Sequence, residues 1–344
     1  MMIKAKSPQA LEADILVKYL QSYFVSKLNS LSKEFGNAKL FEEVEWMRDF
    51  GKHGGGSRFE ARDDELFNRA SVNVSQVHYD DNKDKKLSSA TAISTIIHPQ
   101  NPNVPSMHMH ISWTQMRDGS GYWRIMADLN PSIKNEADKV AFDEMLKESS
   151  GVYYEEGSAQ GDRYFNIPAL KRTRGVSHFY LEEFNSGDFA SDKAFAKKMG
   201  EDIIDSYIAI ITEAIKKNPA FTSKEKEEQL AYHTLYLFQV LTLDRGTTSG
   251  LLVHDQNDVG IMGSIPSHIN RELLASWVKL MSKPQDLLVE SLLNAVPDEM
   301  PTPIEEATKK KLAKAVRGHY KKYPEALSMQ ASGETIPATV SNHT

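Results

Sequence analysis

Leu11, Ile15, Leu16, Tyr19, Leu20, Phe24 and Leu28 recur at helical spacing, which predicts an amphipathic helix over 8–35. The period then shortens to two. The β-branched run "ATAISTIIH" (90–98), the strictly alternating "SMHMHISW" (106–113) and "GYWRIMADL" (121–129) predict an antiparallel meander, with a turn at "RDGSG". Before them, "SVNVSQVHYD" (71–80) reads as a strand with an irregularity. Helical spacing returns over 135–149 and over 190–217, where Phe195, Met199, Ile203, Ile204, Tyr207, Ile208 and Ile211 lie on or near one stripe. The run "YHTLYLFQVLTLD" (232–244) reads as a strand closed by a turn at "RGTTSG", and helices are predicted over 267–282 and 285–295. A separate surface helix is predicted over 301–324, opened by a capping box of Thr302 and Glu305. The tail "ASGETIPATVSNHT" reads as disordered. Strands and helices interleave without a repeat, so the pattern predicts one α+β domain with an antiparallel sheet over residues 1–300, and a helical extension with its tail over 301–344.

Alternation also sorts the chemistry by face. His108, His110 and Ser112 share one face of their strand, opposite Met107, Met109, Ile111 and Trp113. Arg124, Asp128 and Asn130 lie opposite Trp123, Ile125, Ala127 and Leu129, while Ser94 and His98 share a face of the first strand.

Composition narrows the function classes. Hydrophobic residues make up 40% of the 344, a globular balance. The formal net charge is −6, from 41 basic and 47 acidic residues, which gives no general reason to bind nucleic acid or an acidic membrane. An anionic ligand would have to be met by arginines placed locally. The chain has no cysteine, which removes disulfides, thiolate ligands and cysteine nucleophiles and fits a cytoplasmic protein. The N-terminal stretch has no signal-peptide core, and no apolar run of about 18 residues predicts a membrane span.

Several groups are candidates for chemistry, each with a plainer alternative. Arg58 follows three glycines in the loop read over 50–61, where backbone and guanidinium could meet an anion together, although a tightly turning loop needs the same glycines. His98, His108 and His110 could bind a metal, move a proton or simply pack. Asp128, in "MADLNP", is either a turn residue before Pro131 or a carboxylate in a pocket shared with the histidines. "LKRTRG" (170–175), with Arg174, is either a solvated basic turn or a carboxylate clamp. Neither Gly-x-Ser-x-Gly nor His-Glu-x-x-His is present.

Taken in order, these segments resemble the oxygen-dependent coproporphyrinogen III oxidase family. Trp46 and Arg48, "GGGSR" (54–58), "SVNVSQVH" (71–78), "IIHPQNPNVPSMHMHISW" (96–113), "ADLNP" (127–131), "KRTRGVSHFYLEEF" (171–184) and "LDRGTTSGL" (243–251) carry the resemblance, which spans about 40–295. It implies a large antiparallel sheet flanked on both faces by helices, and a homodimer. It also implies oxidative decarboxylation of two propionates of coproporphyrinogen III to vinyl groups, with molecular oxygen as co-substrate and no organic cofactor. By resemblance His108 is the general acid, Asp128 the carboxylate that meets the pyrrole N–H groups, Ser94 a substrate contact, and His98 a proposed ligand of a divalent metal. His110 and Ser112 stand where the family carries asparagine and arginine. Arg124, Ile125 and Met126 replace a glycine run. Arg124 shares the predicted face of Asp128 and is expected to supply part of the charge lost at Ser112; His110, Ser112, Arg58 and Arg174 complete the expected substrate-binding set. The alternatives are a diverged relative that binds or oxidises another tetrapyrrole or anionic ligand, a non-catalytic binder, or a metal-dependent oxygenase built on His98, His108 and His110.

Overall fold

A computed structural model describes residues 2–62, 65–334, 340 and 343. Seven antiparallel strands form one sheet: β1 (Glu42–Met47), β2 (Gly54–Ala61), β3 (Phe67–His78), β4 (Leu87–Pro99), β5 (Ser106–Met116), β6 (Gly121–Asn130) and β7 (Ser177–Phe184), adjacent in chain order. Each pairs with its predecessor, β7 returning to β6 after two helices, α2 (Glu136–Ser150) and α3 (Tyr154–Tyr164). The fold is the α+β arrangement expected.

One face of the sheet is dry. Met107, Met109, Ile111, Trp113, Trp123, Ile125, Ala127 and Leu129 point into it and meet α1 (Pro8–Phe35) and α4 (Phe189–Lys217). On α1 the buried stripe runs through Ala10, Ala13, Leu16, Val17, Leu20, Phe24 and Leu28, leaving Leu11, Ile15 and Tyr19 outside. Small residues on that stripe let the helix lie close to the sheet.

The opposite face carries the second core. It is built by α5 (Ser223–Thr242), α6 (Arg245–Val253), the short α7 (Asp258–Ile261), α8 (Arg271–Trp277), α9 (Gln285–Ala295) and α10 (Glu306–Lys322). Leu312, Ala313, Val316 and Tyr320 of α10 join this same core.

Four local readings are corrected. The run 232–244 belongs to α5, not to a strand. Every residue from 232 to 242 is buried, so no polar face survives to show the helical period, and the β-branched and aromatic content imitates a strand. Its start is marked by a capping box of Thr222 and Glu225. The turn at "RGTTSG" is α6, capped by Asp244, whose Oδ1 accepts the Thr247 N–H at 2.6 Å. The capping box read at Thr302 and Glu305 does not form: the Thr302 hydroxyl donates to the Glu299 carbonyl at 2.6 Å, and Thr302 pairs with Ile269 in a two-residue strand. The glycines of 54–56 begin β2 rather than a loop over 50–61. A side chain at Gly56 would collide with the Val74 carbonyl, so glycine here serves close strand packing. In the tail, Ala331, Gly333, Glu334 and His343 hydrogen-bond to the body of the protein; 335–339, 341, 342 and 344 lie outside the described residues.

Candidate active site

Strand register lays the polar groups out in rows across the sheet. One row runs Ser71, Ile96, His108, Asp128, His178; the next Asn73, Ser94, His110, Met126, Tyr180; a third Ser75, Ala92, Ser112, Arg124. These rows floor a cleft of about 1600 Å³, counting its open mouth. Tyr236 and Val240 of α5, Asp244, residues of α6, and Ser264 form the other wall.

His108 and Asp128 face each other across β5 and β6, with Nδ1 and Oδ1 2.7 Å apart. The other carboxylate oxygen accepts from Arg174 Nη2 at 2.6 Å, from Arg174 Nε at 3.1 Å and from Asn130 Nδ2 at 2.6 Å. Burial pushes the Asp128 carboxyl up, but the Arg174 and His108 charges and the hydrogen bonds outweigh it and hold the group below its usual range. An ionised Asp128 only accepts, so the shared proton sits on His108 Nδ1. That leaves Nε2 as the working nitrogen. It makes no hydrogen bond among the described residues, and the ring lines the cleft.

Arg174 is held as firmly as its partner. It is 1% exposed, its guanidinium lies 4.6 Å from the Phe165 ring and 4.9 Å from the Tyr236 ring, and Nη1 donates to Gln239 Oε1 at 2.6 Å. The turn through Gly175, at φ +76°, delivers it, and its carbonyl is bound by His178 Nε2 at 2.5 Å. Lys171 and Arg172 of the basic turn are exposed, whereas its Arg174 is buried and clamps a carboxylate of this chain. Asp128 itself does not line the cleft; it stands behind His108.

His110 bridges two serines. Ser94 Oγ lies 2.6 Å from Nδ1 and Ser112 Oγ 2.9 Å from Nε2. Burial, then the neighbouring charges of His108 and Arg124, lower its pKa to about 3, so it is a neutral, fixed dipole on the floor. Three arginines line the cleft. Arg174 pairs with Asp128 and Arg245 pairs with Glu182, whereas Arg124 has no carboxylate partner among the described residues and only donates to the Tyr122 hydroxyl at 3.1 Å.

Two expected groups sit elsewhere. Arg58 is buried, bonds Glu60 Oε2 at 2.6 Å, and lies beneath Gly260 and Gly263 rather than at the cleft. His98 is fully buried, with Nδ1 2.9 Å from Ser106 Oγ and Nε2 3.1 Å from the Ser264 carbonyl oxygen. Nδ1 ties β4 to β5, and Nε2 braces the sheet against the segment after α7. Among the described residues no three histidine or carboxylate side chains gather to hold a metal ion. The donors around His98 do not fit a divalent metal.

Other cleft groups escaped sequence reading. Tyr236 was hidden in the run read as a strand, as was Gln239, which holds Arg174 from behind the cleft. Asp244, which also accepts the Tyr164 hydroxyl at 2.9 Å, was hidden in the apparent turn. His343 comes from the tail and carried no signal.

Residues 12–294 match the family described as coproporphyrinogen III oxidase. The oxygen-dependent coproporphyrinogen-III oxidase of Rickettsia bellii (strain OSU 85-389) is 28% identical over 273 residues, covering 73% of this chain and 94% of its own. That of Rickettsia akari (strain Hartford) is 26% identical over 266 residues, with the same coverage of 73% and 94%. The mitochondrial enzyme of Rattus norvegicus is 28% identical over 271 residues, covering 72% of this chain and 59% of its own. With a match running from α1 to α9, the chain belongs to the coproporphyrinogen III oxidase family.

Proposed function

We propose that this protein converts two propionates of coproporphyrinogen III to vinyl groups, giving protoporphyrinogen IX, with molecular oxygen as electron acceptor and no organic cofactor. The observation that carries the reading is the pairing of buried Asp128 with His108, which presents one unbonded imidazole nitrogen to the polar cleft. Each propionate loses carbon dioxide, one proton and two electrons. The electrons leave the side chain through the electron-rich pyrrole and pass to oxygen, which takes up two protons to give hydrogen peroxide. What remains for the protein is to hold a tetra-anion and to move protons. His108 handles the proton at Nε2. Asp128 fixes its tautomer, with Arg174 and Asn130 holding Asp128 in turn. The serines bridged by His110 offer neutral hydrogen bonds, and Arg124 takes a propionate. Action as a homodimer rests on the family resemblance, and a cytoplasmic setting on the cysteine-free composition.

A second reading, a tetrapyrrole binder without turnover, is favoured by a cleft that offers, among the described residues, one arginine without a carboxylate partner. Mixing protein and coproporphyrinogen III without oxygen, then admitting oxygen with and without a chelator, separates the two. Protoporphyrinogen IX and carbon dioxide formed regardless of chelator support catalysis. Tight binding with no product leaves only the binder, and chelator-sensitive turnover overturns the metal-free reading. Arg124→Ala is expected to raise KM roughly tenfold or more, the scale of one lost charge-assisted hydrogen bond. Unchanged steady-state KM would remove Arg124 from the binding set.

A further inference from the structure

The family match ends at residue 294, yet the chain continues through α10 and returns to the cleft. After α10 the tail is fastened at one wall. Gln330 Nε2 donates to Thr248 Oγ1 at 2.6 Å, the Ala331 N–H to the Leu243 carbonyl at 3.0 Å and the Glu334 N–H to Glu182 Oε2 at 2.8 Å, while Arg163 donates to the Gly333 carbonyl. Near its end the tail is fastened again, at the β1–β3 end of the cleft. Lys85 Nζ donates to the His343 carbonyl at 2.7 Å, and the Tyr79 hydroxyl lies 2.9 Å from His343 Nδ1.

This second fastening fixes a proton. Arg48 Nη2 donates to the Tyr79 oxygen at 2.7 Å, so the Tyr79 hydroxyl hydrogen is free to point at His343 Nδ1. Burial, followed by the charges of Arg48 and Lys85, lowers the His343 pKa to about 4, and the imidazole is neutral. A neutral ring that accepts at Nδ1 carries its hydrogen at Nε2. That N–H has no partner among the described residues, and the ring lines the cleft. Behind it lie two cations, the Arg48 guanidinium 4.9 Å and the Lys85 ammonium 5.7 Å from the Tyr79 ring centre. A donor N–H backed by positive charge suits a carboxylate.

We propose that His343 Nε2–H binds a carboxylate arm of the cleft's occupant, so that the C-terminal extension completes the binding site. The identity of that occupant as a tetrapyrrole rests on the function proposed above; the carboxylate subsite does not. Two probes separate them: coproporphyrin III, the stable oxidised tetracarboxylate, and glutarate, a plain dicarboxylate followed through the ¹⁵N resonance of His343. Wild-type protein is expected to bind coproporphyrin III, and His343→Ala to weaken it roughly tenfold, the scale of one hydrogen bond to a charged group. His343→Gln, whose amide N–H reaches close to the imidazole Nε2 position, is expected to recover most of the loss, which a merely space-filling role would not require. Glutarate is expected to shift the His343 resonance. A His343→Ala protein with unchanged coproporphyrin affinity, or wild type with no response to either probe, overturns the proposal. A glutarate response with no coproporphyrin binding keeps the subsite and overturns the tetrapyrrole reading instead.

Discussion

Asp128→Asn is expected to destabilise the protein by about 3–5 kcal/mol, the usual cost of removing one partner from a buried ion pair. Asp128 and Arg174 are 0% and 1% exposed, so neither charge is relieved by solvent when the other is lost. An asparagine amide would also turn an N–H toward either the guanidinium or His108 Nδ1, both donors. The pH dependence has a definite sign. Folding depresses the Asp128 pKa below its unfolded value of about 3.9, so the contribution is complete above that pH and is lost as the solution is acidified through the folded pKa. Denaturant unfolding of both proteins should therefore show a wide gap at neutral pH that narrows below about pH 4. Adding Arg174→Met to Asp128→Asn should recover much of the loss, because the stranded cation is then gone. A single variant as stable as wild type at pH 7 would mean that the pair contributes nothing to the fold.

β-branched content revealed β4, period-two alternation revealed β5 and β6, and the faces were sorted correctly because one meets a dry core and the other a polar cleft. It failed at α5, where burial on all sides removes the contrast that alternation depends on. His108, His110, Ser94, Ser112 and Arg124 were legible for the same reason: they occupy the polar positions of strands already recognised. The association of Arg174 with Asp128 was not, since it joins residues 46 apart in the chain through a turn after α3. Sequence gives the charge of an arginine but not its partner. Arg58 and Arg174 looked equally available for an anion, and the structure pairs both with carboxylates of the chain itself.

His108→Ala is expected to lower kcat by roughly 10²–10⁴-fold, the range for loss of a positioned general acid or base. The expectation depends on separating His108 from Asp128. Removing the imidazole leaves Asp128 its bonds to Arg174 and Asn130, so the loss of stability should be far smaller than for Asp128→Asn. His108→Asn sharpens the test. Its amide can still donate to Asp128 in the manner of Nδ1, but it has nothing that takes up or releases a proton where Nε2 stands. This variant should fold and bind coproporphyrin III nearly as wild type does, and still fail to turn over. If single-turnover assays instead find His108→Asn near full rate, the proton is handled elsewhere, and the Asp128–His108 pair only holds β5 and β6 together beneath the cleft.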